Sequence, residues 1–117
     1  ERVDLLKKAD VLVSDISHGE SRQLEVAMAL AMRPKILMLD EPAAGISPTE
    51  RGRLVDLLKS LDKDMTLILI EHDMAVALAV ADDVIVMHDG TMFMQGSPDE
   101  VRNSSAVRDL YLGSNHE

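Results

Sequence analysis

Two neighbouring carboxylates close a short apolar run in the first half of the chain. Residues 36–39 (Ile-Leu-Met-Leu) are followed at once by Asp40, Glu41 and Pro42. Such a run is typical of a strand buried on both faces of a parallel sheet. Because an unpaired buried charge is costly, the acids are expected at the carboxyl end of the strand, where open α/β sheets bind ligands. There they could hold a magnesium ion and a water beside a nucleotide, although a solvated loop after a core strand would have the same sequence.

A second apolar run ends in polar groups in the same way. Residues 65–70 are followed by Glu71, His72 and Asp73, and Asp73 could cap the short helix that comes next. A single histidine after a strand is more often structural than catalytic. Its position, equivalent to that of the acidic pair, makes His72 a candidate for the same site.

Three helix starts repeat one local pattern, Ser-x-x-Glu, at residues 17–20, 47–50 and 97–100. In such a capping box the serine hydroxyl accepts a hydrogen bond from a backbone N–H group, and the glutamate reaches back to the serine backbone. The second start also has proline at the first helical position. At the first start, Gly19 is a small residue at the amino-terminal end of the helix. This end either only starts the helix or also binds an anion.

The order of these elements predicts the fold. Apolar runs alternate with capped helices, which is the βαβ order of a parallel sheet. After a third run at residues 84–87, Asp89 and Gly90 separate two apolar segments and predict a hairpin. The sequence therefore predicts an α/β fold: a parallel sheet with flanking helices and a C-terminal β-hairpin.

Apolar spacing also predicts which helix faces are buried. The first helix is expected to end before Pro34. Its expected apolar face is Leu24, Ala27, Met28 and Ala31, and its expected wet side is Arg22, Gln23 and Glu25. In the second helix the expected buried stripe is Leu54, Val55, Leu58 and Leu61.

Composition narrows the classes of partner. The chain has 117 residues, 46% hydrophobic and 28% charged, which favours one folded, water-soluble domain or part of one. Its net charge of −9 argues against a nucleic-acid-binding face and against direct adhesion to an anionic membrane. It has no cysteine for a disulfide or thiolate metal site, and no apolar run approaches the roughly 20 residues of a membrane span.

Together these stretches resemble the C-terminal half of an ABC-type ATPase nucleotide-binding domain, a P-loop NTPase (RecA-like) fold. Residues 16–20 (Ile-Ser-His-Gly-Glu) resemble the signature motif, usually Leu-Ser-Gly-Gly-Gln. Residues 36–41 resemble the Walker B strand, and His72 lies where the switch histidine belongs. The position of the D-loop is taken by Ala44, Gly45, Ile46 and Ser47. The signature and the residues after it are similar to those of branched-chain amino acid importer ATPases.

The resemblance implies a role for each matched residue. Asp40 would hold Mg²⁺, Glu41 would be the general base, and His72 would contact the terminal phosphate of ATP. In this family the signature helix faces the nucleotide of the opposite subunit. The residues implied in that contact in trans are Ser17, His18, Gly19 and Glu20. The D-loop would link the two sites across the dimer, although Ser47 stands where the family usually has Asp.

One part of the family pattern is missing. No Gly-x-x-x-x-Gly-Lys-Ser/Thr stretch occurs, so the phosphate-loop half is expected to be absent. The chain alone is expected to bind ATP very weakly and not to hydrolyse it. In related sheets the strand leading into the phosphate loop lies between the strands that match residues 65–70 and 84–87. Without that strand the sheet would have a gap, which would be left open, closed, or filled by another chain. Because unpaired strand edges invite association, we expect self-association.

The resemblance assigns residues 1–34 to the signature-helix region and residues 35–117 to the Walker B, D-loop, switch-histidine and C-terminal region of one domain. It implies ATP and Mg²⁺ as cofactors, with a second ATPase subunit and transmembrane permease subunits as partners. Nucleic acid and direct membrane insertion are not expected, and the implied location is the cytoplasmic face of the cell membrane. A soluble ABC ATPase of DNA repair and a non-enzymatic dimerisation or regulatory fragment are the alternatives. The transported substrate is set by other subunits.

Overall fold

The strands form two separate two-stranded sheets in the structure, a computed structural model that describes residues 3 and 5–113. Strand β1 (Ile36–Asp40) pairs in parallel with β2 (Thr66–Ile70). Strand β3 (Val84–His88) pairs with β4 (Thr91–Gly96) in antiparallel fashion. How the predicted gap in the sheet is closed or filled stays a prediction.

Helices connect and follow the strands. Two short 3₁₀ turns, Leu6–Lys8 and Val13–Asp15, come before the first helix. The helices are α1 (His18–Ala31), α2 (Pro48–Lys59), α3 (Met74–Val80), α4 (Pro98–Asn103) and α5 (Ser105–Gly113). All three predicted capping boxes form, because each serine and its glutamate exchange hydrogen bonds with the other's backbone. None of the described helices is long and apolar enough to span a membrane.

The chain divides into two compact units, the first ending at Val76 and the second beginning at Ala77. In the first unit, α1 and α2 pack together. Their core is a cluster of Val3, Val26 and Leu57. Leu5, Ala27, Leu30 and Leu39 pack against this cluster. The cluster thus joins both helices to one face of β1.

The predicted apolar face of α1 is only partly right, since Ala27 packs against the core cluster but Met28 and Ala31 are exposed. The buried residues of this helix are Gly19, Gln23 and Val26, whereas Met28 is 65% exposed. Apolar residues occur on several sides of α1, so their spacing alone does not select one face. The contact with α2 decides it, and the small Gly19 lets the two helix starts approach closely. In α2 the prediction holds better, since Leu54 and Leu58 are buried together with Leu57.

The prediction that β1 is buried on both faces is also wrong within the described chain. Leu37 is 5% exposed, but its neighbours Ile36 and Met38 are 57% and 69% exposed. On β2, Ile68 and Ile70 are 44% and 56% exposed. Because side chains alternate along a strand, these four residues form one bare apolar face of the sheet. The self-association expected from unpaired strand edges stays a prediction.

The second unit is built on the predicted hairpin. Its two-residue turn places Asp89 at φ +49° and Gly90 at φ +74°. This pair of left-handed residues matches the right-handed twist of the flanking strands. Helix α4 packs against β4, and Val101 and Val107 are buried.

Candidate functional site

Glu41 and His72 meet at the carboxyl edge of the β1–β2 sheet. Glu41 directly follows the last residue of β1, and its N–H group donates to the Ile70 carbonyl at 2.8 Å, which extends the pairing with β2. His72 lies just beyond β2, and its Nδ1 is 2.9 Å from Glu41 Oε1. The structure therefore brings these two candidate residues into direct contact.

The backbone of Glu41 is unusual. Its φ of +46° is a left-handed conformation that is uncommon outside glycine. The conformation is fixed on both sides, because the Glu41 N–H donates to β2 and the Glu41 carbonyl accepts from the Ala44 N–H at 3.1 Å. Strained backbone of this kind often occurs at functional sites. In this chain the residue with that backbone is the one whose carboxylate contacts His72.

The pKa of His72 is raised above its usual value. The first cause is the hydrogen bond to Glu41 and the second is the negative charge of that carboxylate, with smaller contributions from Glu71 and Asp73. The raised pKa favours the imidazolium form, in which both ring nitrogens carry a proton. His72 can then donate to Glu41 through Nδ1 and still offer Nε2–H to another acceptor.

Glu71 connects the turn after β1 to the segment after β2, a role that sequence reasoning missed. Its Oε1 accepts a hydrogen bond from the Ala43 N–H at 2.9 Å, across 28 positions of sequence. Its Oε2 is 3.5 Å from the Asp73 backbone nitrogen. The turn after Glu41 is thus fixed to the segment that carries His72. The only sequence signal for Glu71 was its place beside the histidine.

Asp40 is the candidate ligand for Mg²⁺. It is exposed at the end of β1, opposite Ile70. Among the residues that the structure describes, no group of three or more His, Cys, Asp or Glu could hold a metal ion. Magnesium is often bound through one or two carboxylates, with phosphates and waters completing the shell. Asp40 fits the part of such a single carboxylate ligand.

A second polar cluster lies at the start of α1 and consists of Ser17, His18, Gly19 and Glu20; we call it the Ser17 cluster. Ser17 Oγ accepts from the Glu20 N–H at 3.0 Å, and the Ser17 N–H donates to Glu20 Oε1 at 3.0 Å. The Ser17 hydroxyl then donates to Glu50 Oε1 at 2.5 Å, across 33 positions of sequence. His18 Nε2 lies 3.3 Å from the Ala44 carbonyl oxygen. The start of α1 therefore contacts residues 44–50 of its own chain.

Two glycines permit this close approach. A Cβ atom on Gly19 would lie 2.3 Å from Glu50 Cδ, closer than real atoms approach. Gly45 has φ +72°, and a Cβ atom there would lie 3.4 Å from His18 Nε2. Gly19 thus leaves the space that the Glu50 carboxylate fills, and Gly45 supplies the left-handed turn.

The start of α2 also contacts the segment after β2. Arg51 Nη1 is 3.2 Å from Asp73 Oδ2. Asp73 Oδ1 accepts hydrogen bonds from the backbone N–H groups of Ala75 and Val76, so the predicted cap of α3 forms. Residues 43–51 therefore lie between the Ser17 cluster and the Glu41–His72 contact and bond to both. Sequence reasoning assigned Glu50 only a local cap and did not single out Arg51.

Comparison with known proteins finds relatives of this chain. The sequence profile of a family described as ABC transporter matches residues 1–44. The high-affinity branched-chain amino acid transport ATP-binding protein LivG of Salmonella typhimurium is 41% identical over 115 residues, which are 97% of this chain and 45% of that protein. BraF of Pseudomonas aeruginosa, with the same description, is 37% identical over 115 residues. The chain is related to ABC transporter ATP-binding proteins.

The structural comparison supports the same relationship. The ADP conformation of MJ1267, an ATP-binding cassette of an ABC transporter, matches with a TM-score of 0.82 and 26% identity. That match covers 96% of this chain and 46% of MJ1267. The predicted resemblance to ABC ATP-binding subunits, in sequence and in fold, is thus confirmed. The chain spans a little under half the length of the curated relatives it matches.

Proposed function

We propose that this chain is part of an ATP-hydrolysing subunit that powers an ABC importer, with branched-chain amino acids as the transported class. The observation that carries the proposal is the 2.9 Å contact between Glu41 and His72 at the carboxyl edge of a parallel sheet. The names of LivG and BraF, which are branched-chain amino acid transport ATP-binding proteins, support the substrate class.

The hydrolytic step follows from the two side chains. Glu41 accepts a proton from a water whose oxygen attacks the terminal phosphorus of ATP. As the new P–O bond forms, the bond to the bridging oxygen breaks, and ADP and inorganic phosphate are released. His72 holds the Glu41 carboxylate through Nδ1–H and donates Nε2–H to an oxygen of the terminal phosphate. Asp40 would hold Mg²⁺, which when bound would neutralise phosphate charge.

In the same proposal, the Ser17 cluster of this chain acts at the ATP site of a partner subunit. Ser17, His18, Gly19 and Glu20 lie at the amino-terminal end of α1, where backbone N–H groups and the helix dipole favour an anion. They would complete the ATP site of a second ATPase subunit. Residues 44–47 would act as the D-loop between the two sites. Permease subunits would hold the pair at the inner face of the cell membrane.

A chimaera tests the proposal. In it, this chain replaces the matching part of Salmonella typhimurium LivG, and ATP hydrolysis is measured in the purified protein. Glu41→Gln should lower kcat by about 100-fold or more, since general-base catalysis contributes on the order of 10²–10⁴. Glu25→Gln, on the exposed side of α1, is the matched control and should leave kcat unchanged. Hydrolysis that survives Glu41→Gln would contradict the proposed role of Glu41.

Two further measurements test the inactivity of the chain by itself and its coupling to amino acid uptake. The 117-residue chain by itself is expected to bind ATP very weakly and not to hydrolyse it. ATPase activity of that chain which Glu41→Gln abolishes would refute the expectation. In Salmonella cells lacking LivG, the chimaera should restore leucine uptake, and a folded, hydrolytically active chimaera that restores none would count against coupling to such a permease.

A further inference from the structure

The carboxylate of Glu50 bonds to two helix starts at once. Its Oε1 accepts the Ser17 hydroxyl at 2.5 Å, at the start of α1. Its Oε2 accepts the Ser47 backbone N–H at 3.1 Å, at the start of α2. The carboxylate occupies the space beside Gly19 that a larger residue would fill. An anion of this chain's own therefore already lies at the polar end of α1.

We propose that Glu50 is an internal competitor for the Ser17 hydroxyl, so that Ser17 is available to a phosphate only when Glu50 releases it. The inference rests on the proposed role of the Ser17 cluster towards a partner's nucleotide. A serine hydroxyl has one proton to donate, and the Ser17 proton points to Glu50. The oxygen of that hydroxyl already accepts from the Glu20 N–H. A phosphate oxygen must therefore displace Glu50 to receive the Ser17 proton.

Charge strengthens this competition. The hydrogen bonds from the Ser17 hydroxyl and then the Ser47 N–H lower the pKa of Glu50, which keeps the carboxylate ionised. A phosphate that approached Ser17 would meet this negative charge at close range, and like charges repel. Glu50 thus opposes phosphate both by holding the donor and by its charge.

The start of α2 also connects Glu50 to the segment that carries His72, which belongs to this chain's own proposed ATP site. Glu50 caps α2, and the next residue, Arg51, pairs with Asp73 one position after His72. When the hydrogen bond between Ser17 and Glu50 breaks, the start of α2 is no longer bonded to the start of α1. The Arg51–Asp73 pair still joins it to the segment after His72.

Another helix start of the chain provides a matched control. Glu100 follows Ser97 and Pro98 as Glu50 follows Ser47 and Pro48, and both form the same capping box. The bonds described for Glu100 stay within its own box. A substitution at Glu100 removes a helix cap without touching the Ser17 hydroxyl, and so separates competition from capping.

The first test measures hydrolysis in the LivG chimaera. Glu50→Ala should lower the KM for ATP by about tenfold, which is the scale of one charge-assisted hydrogen bond. Glu50→Gln, which keeps an oxygen acceptor but loses the charge, should lower KM by less. Glu100→Ala should leave KM unchanged. Loss of a merely structural cap would not tighten ATP binding, so an unchanged or raised KM in Glu50→Ala would overturn the inference.

The second test does not depend on hydrolysis. The 117-residue chain is titrated with inorganic pyrophosphate, and the backbone amide resonances of residues 17–21 are followed by NMR. Glu50→Ala should respond at about tenfold lower pyrophosphate than the unaltered chain, and Glu100→Ala should match the unaltered chain. Equal affinities in the unaltered chain and Glu50→Ala would overturn the inference whatever the chimaera does. Failure of the proposed function appears separately, as hydrolysis that survives Glu41→Gln.

Discussion

The starts of α2 and α4 have the same local sequence, Ser-Pro-x-Glu, and nearly the same cap. Ser47 has φ −68° and ψ 160°, and Ser97 has φ −65° and ψ 160°. Yet Glu50 also accepts the Ser17 hydroxyl, from a residue 33 positions away, whereas the bonds described for Glu100 are local. An identical motif thus acquires a long-range contact only where a serine and a glycine from another helix start lie beside it.

The largest effect expected on this comparison comes from closing the space that Glu50 fills. Gly19→Ala places a Cβ atom where the Glu50 carboxylate lies, so this flexible side chain must move away and lose its bonds to Ser17 and Ser47. The loss of these bonds should cost about 2 kcal/mol of unfolding free energy, measured by urea denaturation. Gly52→Ala is the control, since nothing lies within 4 Å of a Cβ atom there. It should stabilise α2 by about 0.5–1 kcal/mol.

A double variant shows whether Glu50 is the cause of the Gly19→Ala cost. The combination of Gly19→Ala with Glu50→Ala should be less damaging than the sum of the single changes, because both remove the same contact. Additive costs would mean that Gly19 is required for a different reason.

The next effect separates a cap with a long-range bond from a purely local cap. Ser17→Ala should lower the unfolding free energy by about 1.5–2 kcal/mol, because the hydroxyl both caps α1 and donates to Glu50. Ser97→Ala, which removes only a local cap, should cost about 1 kcal/mol. Equal costs in chemical denaturation would show that the bond to Glu50 adds no stability.

A smaller difference is expected for the arginines beside the two boxes. Arg51 forms a long-range, partly buried pair with Asp73, whereas Arg102 pairs with Asp99 three positions away on an exposed surface. Arg51→Ala should cost about 1 kcal/mol, and Arg102→Ala less than about 0.5 kcal/mol. Thermal unfolding of both variants would check this order. A greater loss of stability for Arg102→Ala would contradict the inference that α2, rather than α4, is the helix whose start is anchored by a long-range pair.

The smallest effect is a dependence on pH. The Ser17 hydroxyl and then the Ser47 N–H lower the pKa of Glu50 below 4.5, the value expected in the unfolded chain. A lowered folded-state pKa means that the stability from Glu50 is fully present above the unfolded pKa and is lost as pH falls through the folded pKa. The stability difference between the unaltered chain and Glu50→Gln should therefore hold at pH 6 and shrink below about pH 4.5. A difference independent of pH would show that the Glu50 charge takes no part.

Much of the fold follows from the sequence because its causes are local. Capping boxes, the proline-marked start of α2 and the Asp89–Gly90 turn each depend on residues within about four positions. The apolar runs that became β1 and β2, and the polar residues that end them, could likewise be predicted. The motifs near Ser17, Glu41 and His72 were together sufficient to indicate the family.

Tertiary packing alone decided the rest. The sequence did not determine that α1 would bury Gln23 and expose Met28, since several of its faces are apolar, nor that β1 would leave Ile36 and Met38 bare. It also did not indicate that Glu50, rather than Glu100, would bond to another helix start. The bond from Ser17 to Glu50 and the bond from Ala43 to Glu71 join residues about 30 positions apart. Local propensity carries no information about such pairs, because they form only when packed helices and paired strands place both partners side by side.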